Sequence, residues 1–427
     1  MHDEFSMKHL YIHIPFCQTR CAYCDFNTFA HRDDIMPRYV AALVQHLSRM
    51  TKASIMPFAN WHDRPADNQP WAEYAKTDCP APLRRADLPA TVFLGGGTPT
   101  ALPLSLLEQV VHAAGDCIPL DQAEVTSEAN PGTVLDGHYL RAMRSMGINR
   151  LSMGVQSLHD PTLRMLGRIH TASEARDSYN EARKAGFDNI NLDFMFGLPG
   201  QDVAQWEASL REIVTWDVDH FALYSLIIEP NTPLAAQVHA GRWRVPNDDT
   251  TADMYERAMD ILGSAGYVQY EISNWARATT MNPDQTQILP AHASRHNVAY
   301  WLNADYLGVG AGAHSHMRGI RWADERVLER FVAQVETDHA PIEEVTRLNA
   351  NDVAFETMMM GLRLSSGVGF AHFAERCGRD MRDVYATTIN DLVAQHLLIM
   401  SDAGVRLSPR GRMLGNSVFE RFLLDDA

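Results

Sequence analysis

Six short β-rich runs, each followed by a helical pattern, decide what this 427-residue chain can fold into. They are HLYIHIP (9–15), TVFLG (91–95), AEVTSEA (123–129), NRLSMGV (149–155), NINLDFMFG (189–197) and HFALYSLII (220–228). Alternation of this kind builds a parallel sheet, because a crossover helix is what returns the chain to begin the next strand in the same direction. The segment TASEARDSYNEARKAG (171–186) is the clearest of the helices. Thr171 and Glu174 spell a capping box, Ala175, Tyr179 and Ala182 share one stripe, and Gly186 supplies the stop. The expected class is α/β, as a doubly wound sheet or an incomplete barrel, and in both the chemistry gathers at the carboxyl ends of the strands.

The residues just after each strand fit that rule. The first run leads into CQTRCAYCDF (17–26), the second into GGGTPT (95–100), and the third ends at Glu128 and Asn130. The fourth leads to Gln156, and the fifth carries Asp193 before GLPGQ (197–201). Two stretches break the rhythm, at about 51–90 and 278–294, and read as surface excursions. From about residue 340 the pattern turns helical, with the strand pair LIMSDAGVRLSP (398–409) near its end, which suggests a winged-helix-like module. The expected division is 1–240 for the core, 241–335 for an extension of it, and 336–427 for a C-terminal accessory domain.

Charge narrows the partners. Acidic residues outnumber basic ones, 53 to 37, for a net charge of −16, and no Lys/Arg cluster stands out. Nucleic acid is therefore not expected as a partner, because phosphate binding needs concentrated positive charge. The N-terminal MHDEFSMKHLYIHIPF lacks the basic region and small-residue cleavage site of an export signal, and no run reaches the ~18 apolar residues of a membrane helix. A soluble cytoplasmic protein is expected.

Of six cysteines, Cys17, Cys21 and Cys24 cluster as C-x3-C-x2-C, while Cys79, Cys117 and Cys377 are scattered. Clustering in a reducing compartment points to metal ligation rather than disulfides. A zinc site usually takes four nitrogen or sulfur ligands in paired spacing, and the chain offers no second pair. Three thiolates on a four-iron cluster instead leave one iron with an open position.

The triplet, with Tyr23 before its last Cys and GGGTP after the second strand, resembles the radical S-adenosylmethionine (SAM) superfamily. That resemblance implies an incomplete parallel (β/α)6 TIM-type barrel and a [4Fe-4S] cluster whose open iron is chelated by SAM. In that superfamily, reduction of the cluster cleaves SAM to a 5′-deoxyadenosyl radical. Closer still, YIHIPFC, GGGTPT, EANPG, GVQS, NLDFMFGLPGQ and YLGVGAGAHS look like the branch that holds oxygen-independent coproporphyrinogen III oxidase and its HemW-like heme-chaperone relatives. By that resemblance Tyr11, Gly96, Gly97, Thr98, Glu128, Gln156, Arg168 and Asp193 contact SAM, the glycines by leaving backbone open to close approach.

Three features separate the oxidases from the chaperones. The oxidases resemble C-x3-C-x2-C-x-C with a long segment ahead of the loop, whereas here Phe26 stands at the fourth cysteine position and 16 residues precede Cys17. HNVAYW (296–301) resembles the H-N-x-x-Y-W signature of the chaperones, which implies heme contacts at His296, Asn297, Tyr300 and Trp301, with His296 as an iron ligand. The expected function is a radical SAM-type heme chaperone that delivers heme to acceptor hemoproteins such as respiratory enzymes, at times beside the inner membrane. The alternative is oxidative decarboxylation of coproporphyrinogen III. The resemblance leaves open whether the chain is an enzyme, whether it pairs with a copy of itself, and whether a second SAM binds.

The cysteine reading is tested by reconstitution. Replacing Cys17, Cys21 or Cys24 by Ala should abolish the iron-sulfur absorbance, while replacing Cys79, Cys117 and Cys377 together should leave it intact; loss of absorbance in the triple variant contradicts the assignment.

Overall fold

The computed structural model describes residues 7–52, 88–278 and 289–424. Most of both stretches expected to be surface inserts, and Cys79, lie outside these residues. All six expected strands form: β1 (His9–Ile14), β2 (Ala90–Gly96), β3 (Ala123–Ala129), β4 (Arg150–Gln156), β5 (Ile190–Phe196) and β6 (His220–Ser225). They lie side by side in sequence order and are parallel throughout. Three further strands, β7 (Tyr267–Gln269), β8 (Asn274–Arg277) and β9 (Leu307–Val309), extend the sheet to nine, in the order β9-β1-β2-β3-β4-β5-β6-β8-β7. β9 joins parallel to β1, whereas β8 and β7 close the other edge antiparallel. The sequence reading placed no strand at these three short runs.

Helices α1 (Met36–Lys52), α2 (Leu104–Gly115), α3 (His138–Ser145), α4 (Asp160–Met165), α5 (Ala172–Lys184) and α6 (Val203–Val214) occupy the crossovers. In α5 both halves of the capping box form, Ala175, Tyr179 and Ala182 are buried, and Gly186 turns the chain at φ +91°. One face of the sheet packs on these helices through Leu151, Met153 and Val155 of β4, Leu192 and Phe194 of β5, and Phe221 and Leu223 of β6, all essentially inaccessible.

The other face departs from a filled barrel. Its alternate positions read Arg150, Ser152, Gly154, Gln156 along β4, Asn191, Asp193, Met195 along β5, and His220, Ala222, Tyr224 along β6, and all of these line one cavity. A filled barrel core carries layers of large branched side chains at such positions. Small and polar residues there leave an interior volume of about 650 Å³ running the length of the strands.

After β6 come α7 (Pro233–His239) and α8 (Asp248–Ser264). Helix α9 (Arg295–Trp301), which is the HNVAYW segment with one residue before it, then leads to β9. A small antiparallel sheet of β10 (His314–Met317), β11 (Ile320–Asp324) and β12 (Ile342–Arg347) comes after α9 and β9, with α10 (Leu328–Glu336) between its last two strands. The C-terminal module has its own core around α11 (Ala350–Gly361), α12 (Phe370–Cys377) and α13 (Met381–Ala394), with a three-stranded wing of β13 (Val368–Gly369), β14 (Leu398–Met400) and β15 (Gly404–Leu407). It docks on the core through the wholly buried Arg376, which reaches His316 at 3.3 Å and Asp305 at 3.7 Å, and through Arg321 to Glu356 at 3.0 Å. Among the described residues no helix is long and apolar enough to cross a membrane.

Candidate functional site

Backbone hydrogen bonds fix the cysteine loop at its base and tip, and Phe16 and Tyr23 pack it onto buried apolar clusters. Phe16–Cys17 pairs in parallel with Phe29–Ala30, closing the loop at its base. The Thr98 N–H donates to Phe16 O (2.8 Å) and the Gly97 N–H to Ile14 O (2.8 Å), so the glycine turn after β2 grips the stem. At the tip, the Ala22 N–H donates to Leu166 O, and Ala22 O accepts from the Leu234 N–H, both at 2.9 Å. The loop thus sits over the carboxyl ends of the strands, with Cys17, Cys21 and Cys24 all on the cavity wall.

Donors surround the sulfurs. The Thr98 hydroxyl donates to Cys17 Sγ (3.6 Å), and Arg168 Nη1 donates to Cys21 Sγ (3.3 Å) while its Nη2 donates to Gly154 O. Burial pushes the Cys17 thiol up to about 11, against the pull of Thr98. Hydrogen bonds to sulfur are how proteins stabilise thiolates that bind metal. Among the described residues no three His, Cys, Asp or Glu side chains converge as a single ion requires. Three thiols on the wall of one cavity, two of them under hydrogen-bond donors, fit a cluster, which takes each thiolate on a different iron.

The sites expected to contact SAM mostly gather beside this loop. Gly96, Gly97, Thr98, Glu128, Gln156, Arg168 and Asp193 line the same cavity. Tyr11 does not; its hydroxyl meets His13 Nδ1 at 3.0 Å and its ring lies behind Phe93. The glycines turn out to be required by the protein as well as open to a ligand. A Cβ on Gly96, at φ +108°, would lie 2.4 Å from the His13 ring, and one on Gly97 would lie 2.7 Å from Phe16 O. Substitution at Gly97 therefore strains the cysteine loop itself, so loss of SAM is not separable there from disturbance of the cluster. Gln156 ends β4 at φ +68°, a left-handed conformation unusual for a residue with a side chain.

Acids and bases are mixed in this cavity. Burial and the neighbouring Asp193 charge raise Glu128 to about 8, offset by the Gly96 N–H that donates to Glu128 Oε2 at 3.0 Å. Burial raises Asp193 to about 6, with Asn191, Arg150, Ser152 and Arg168 pulling the other way. At the amino end of the strands Arg150 is 2% exposed, and its Nε has no hydrogen-bond partner among the described residues. Beside it Asn191 bridges Ser152, Asp193 and His220. Sequence reasoning passed over Arg150, Asn191 and His220 because it weighted strand ends. The available signal was a polar residue at every second position of otherwise apolar strands.

The HNVAYW residues do not join the cysteine end. Helix α9 plugs the opposite, amino end of the barrel, where Glu124 accepts the backbone N–H groups of Arg295 (2.8 Å) and His296 (3.2 Å). His296 is 1% exposed, and both ring nitrogens are engaged, Nδ1 with Thr91 Oγ1 at 2.7 Å and Nε2 with Tyr300 Oη at 2.9 Å. Its ring stacks on Phe93 at 5.2 Å, and burial lowers its pKa to about 3. Iron ligation by His296 requires one of these hydrogen bonds to be released, since one ring nitrogen binds the metal while the other keeps its partner. Asn297 faces the barrel cavity, whereas Tyr300 and Trp301 face a second cleft beneath the C-terminal module. Phe26, at the position of the oxidases' further cysteine, is 69% exposed at the mouth of the main cavity.

Residues 83–213 match the Radical SAM superfamily, and residues 348–414 match the HemN C-terminal domain. A Bacillus subtilis protein named heme chaperone HemW is 34% identical over 98% of this chain and 99% of its own length. The Escherichia coli protein of the same name is 31% identical over 97% and 98%. Radical S-adenosyl methionine domain-containing protein 1, mitochondrial, from Danio rerio is 31% identical over 97% and 87%. Among solved structures, coproporphyrinogen III oxidase (HemN) from Escherichia coli superposes with a TM-score of 0.74 at 20% identity, over 99% of this chain and 91% of its own. At that identity the likeness is one of fold.

The buried state of His296 has a measurable consequence. His296→Gln should cost about 2–3 kcal/mol at pH 7, because two buried hydrogen bonds are lost. The unfolded imidazole takes a proton at 6.5, while the folded one stays neutral to about 3. Wild-type stability is therefore lost as pH falls through 6.5, and the glutamine variant has no such term. At 1.36 kcal/mol per unit, the gap between the two in urea unfolding should narrow by about 2 kcal/mol at pH 5. A gap that stays constant from pH 7 to 5 contradicts the buried, neutral histidine.

Proposed function

We propose that this chain, which belongs to the heme chaperone HemW family, binds a [4Fe-4S] cluster, SAM and heme, and passes heme to acceptor hemoproteins. The observation that carries the proposal is likeness over nearly the whole chain to relatives bearing that name, extending through the HNVAYW helix and the C-terminal module. The cluster is assigned to Cys17, Cys21 and Cys24, under the Thr98 and Arg168 donors. SAM is assigned to the adjoining rim, where Glu128 and Asp193 suit its ammonium and Arg168 its carboxylate. When bound, the cluster would supply an electron to SAM.

Heme is assigned to the His296, Asn297, Tyr300 and Trp301 motif at the other end of the barrel. The acceptors are respiratory hemoproteins, which would bring the chain beside the inner membrane. Phe26 and the plugged amino end both favour carrier over decarboxylase. An abstraction enzyme must hold a propionate against the radical source, and here the motif helix stands a full strand length away from the cysteine loop.

Anaerobically reconstituted protein should bind hemin and transfer it to an apo-hemoprotein, read as the acceptor's absorbance appearing. With cluster, SAM and reductant supplied it should not decarboxylate coproporphyrinogen III, and Phe26→Cys alone should not confer that activity. Protoporphyrinogen formation at enzymatic rates without heme transfer would reverse the reading.

A further inference from the structure

The Tyr300 and Trp301 side of α9 opens into a cleft of about 340 Å³ between the core and the C-terminal module. The core supplies aromatic walls in Tyr300, Trp301 and Tyr306, and the module supplies Met359, Met360 and Phe419. Two arginines complete it. The Arg363 guanidinium lies 4.5 Å over the Trp301 ring, and Arg321 reaches Glu356 through Nη2.

Trp301 Nε1, Arg321 Nε and Arg363 Nε are all buried without a hydrogen-bond partner. Buried N–H groups without an acceptor are rare in folded proteins. These three donors and Asn303 Oδ1 belong to side chains that line the cleft, and all four lack a hydrogen-bond partner among the described residues, so the polar lining of the cleft is not satisfied from within the chain. Their chemistry is specific: aromatic faces for a flat ring, two guanidinium groups for two carboxylates, and thioethers for a soft metal. The neighbouring His316 is 1% exposed and its Nε2 is taken by Arg376. Of the lining side chains with a nitrogen or sulfur donor suited to iron, the methionines are the ones left uncommitted.

We propose that this cleft seats heme, with the macrocycle against Trp301, the two propionates on Arg321 and Arg363, and a thioether of the Met359–Met360 pair toward the iron. The proposal rests on the heme-chaperone reading and deepens it. The C-terminal module then supplies half of the heme site, and His296 acts as the anchor that holds Tyr300 and α9 in place rather than as the first contact with iron.

The wild-type protein provides the first test, through titration with hemin and with hemin whose two carboxylates are methyl esters. Hemin should bind at least about tenfold more tightly, since each charge-assisted hydrogen bond to a carboxylate is strong. Arg321→Gln with Arg363→Gln should erase that preference. Met359→Leu with Met360→Leu should preserve packing but shift the Soret band. Cluster absorbance and SAM binding should stay unchanged in both double variants. Equal affinity of wild type for hemin and its diester, or full preference in the arginine variant, overturns the cleft while leaving the chaperone reading intact. A wild type that binds neither form overturns that reading as well.

Discussion

One carboxylate closes the barrel. Glu124 at the start of β3 takes the N–H groups of Arg295 and His296, and with the His296 to Thr91 hydrogen bond it fastens α9 across the amino end of the strands. Burial raises Glu124, and the nearby Arg150 is the largest influence pulling it back. Without that tie the hollow interior would open at both ends. With it, the interior becomes a blind cavity whose mouth is the cysteine loop and whose floor is the motif helix.

The hollow itself comes from residue choice on one face of the strands. The outward rows, such as Leu151, Met153 and Val155, make an ordinary apolar layer against the helices, and burying each such side chain is worth about 1.5–3 kcal/mol. The inward rows forgo that gain in favour of Arg150, Ser152, Asn191 and His220. A protein that keeps buried polar groups at such positions holds them in networks, as His220 is held between Asn191 and Tyr270. The stability of the core comes from the helix-facing layer, and the cavity is what the other face is left to form.

Much of this was legible in the residues. The capping pair Thr171 and Glu174, the stripe after it and Gly186 are local signals, and they formed as read. The cysteine loop and its neighbours after successive strands were legible for a similar reason, since parallel strands bring their carboxyl ends to one rim. The 3-residue strands β7 and β9 were not, because runs that short carry no period of their own and are fixed by pairing with distant partners. The position of HNVAYW was equally hidden. Its residues state a chemistry, but which end of the barrel they occupy depends on hydrogen bonds to Thr91 and Glu124, some 170 to 205 positions away. Tyr11 illustrates the converse: its ring stacks on Phe93 and its hydroxyl is held by His13, and it is Phe93 that lines the cavity.

The central claim is that cluster and heme occupy opposite ends of one barrel, with α9 as the partition. Pulsed dipolar EPR on protein carrying a reduced cluster and copper(II) protoporphyrin, a spin-bearing heme analogue that the reduced cluster does not reduce, measures that separation directly. Seven residues of β4 at ~3.3 Å each span about 20 Å, so the two spins should lie at least that far apart. A distance under about 10 Å, as expected if heme sat at the mouth beside the cysteine loop, would contradict the account.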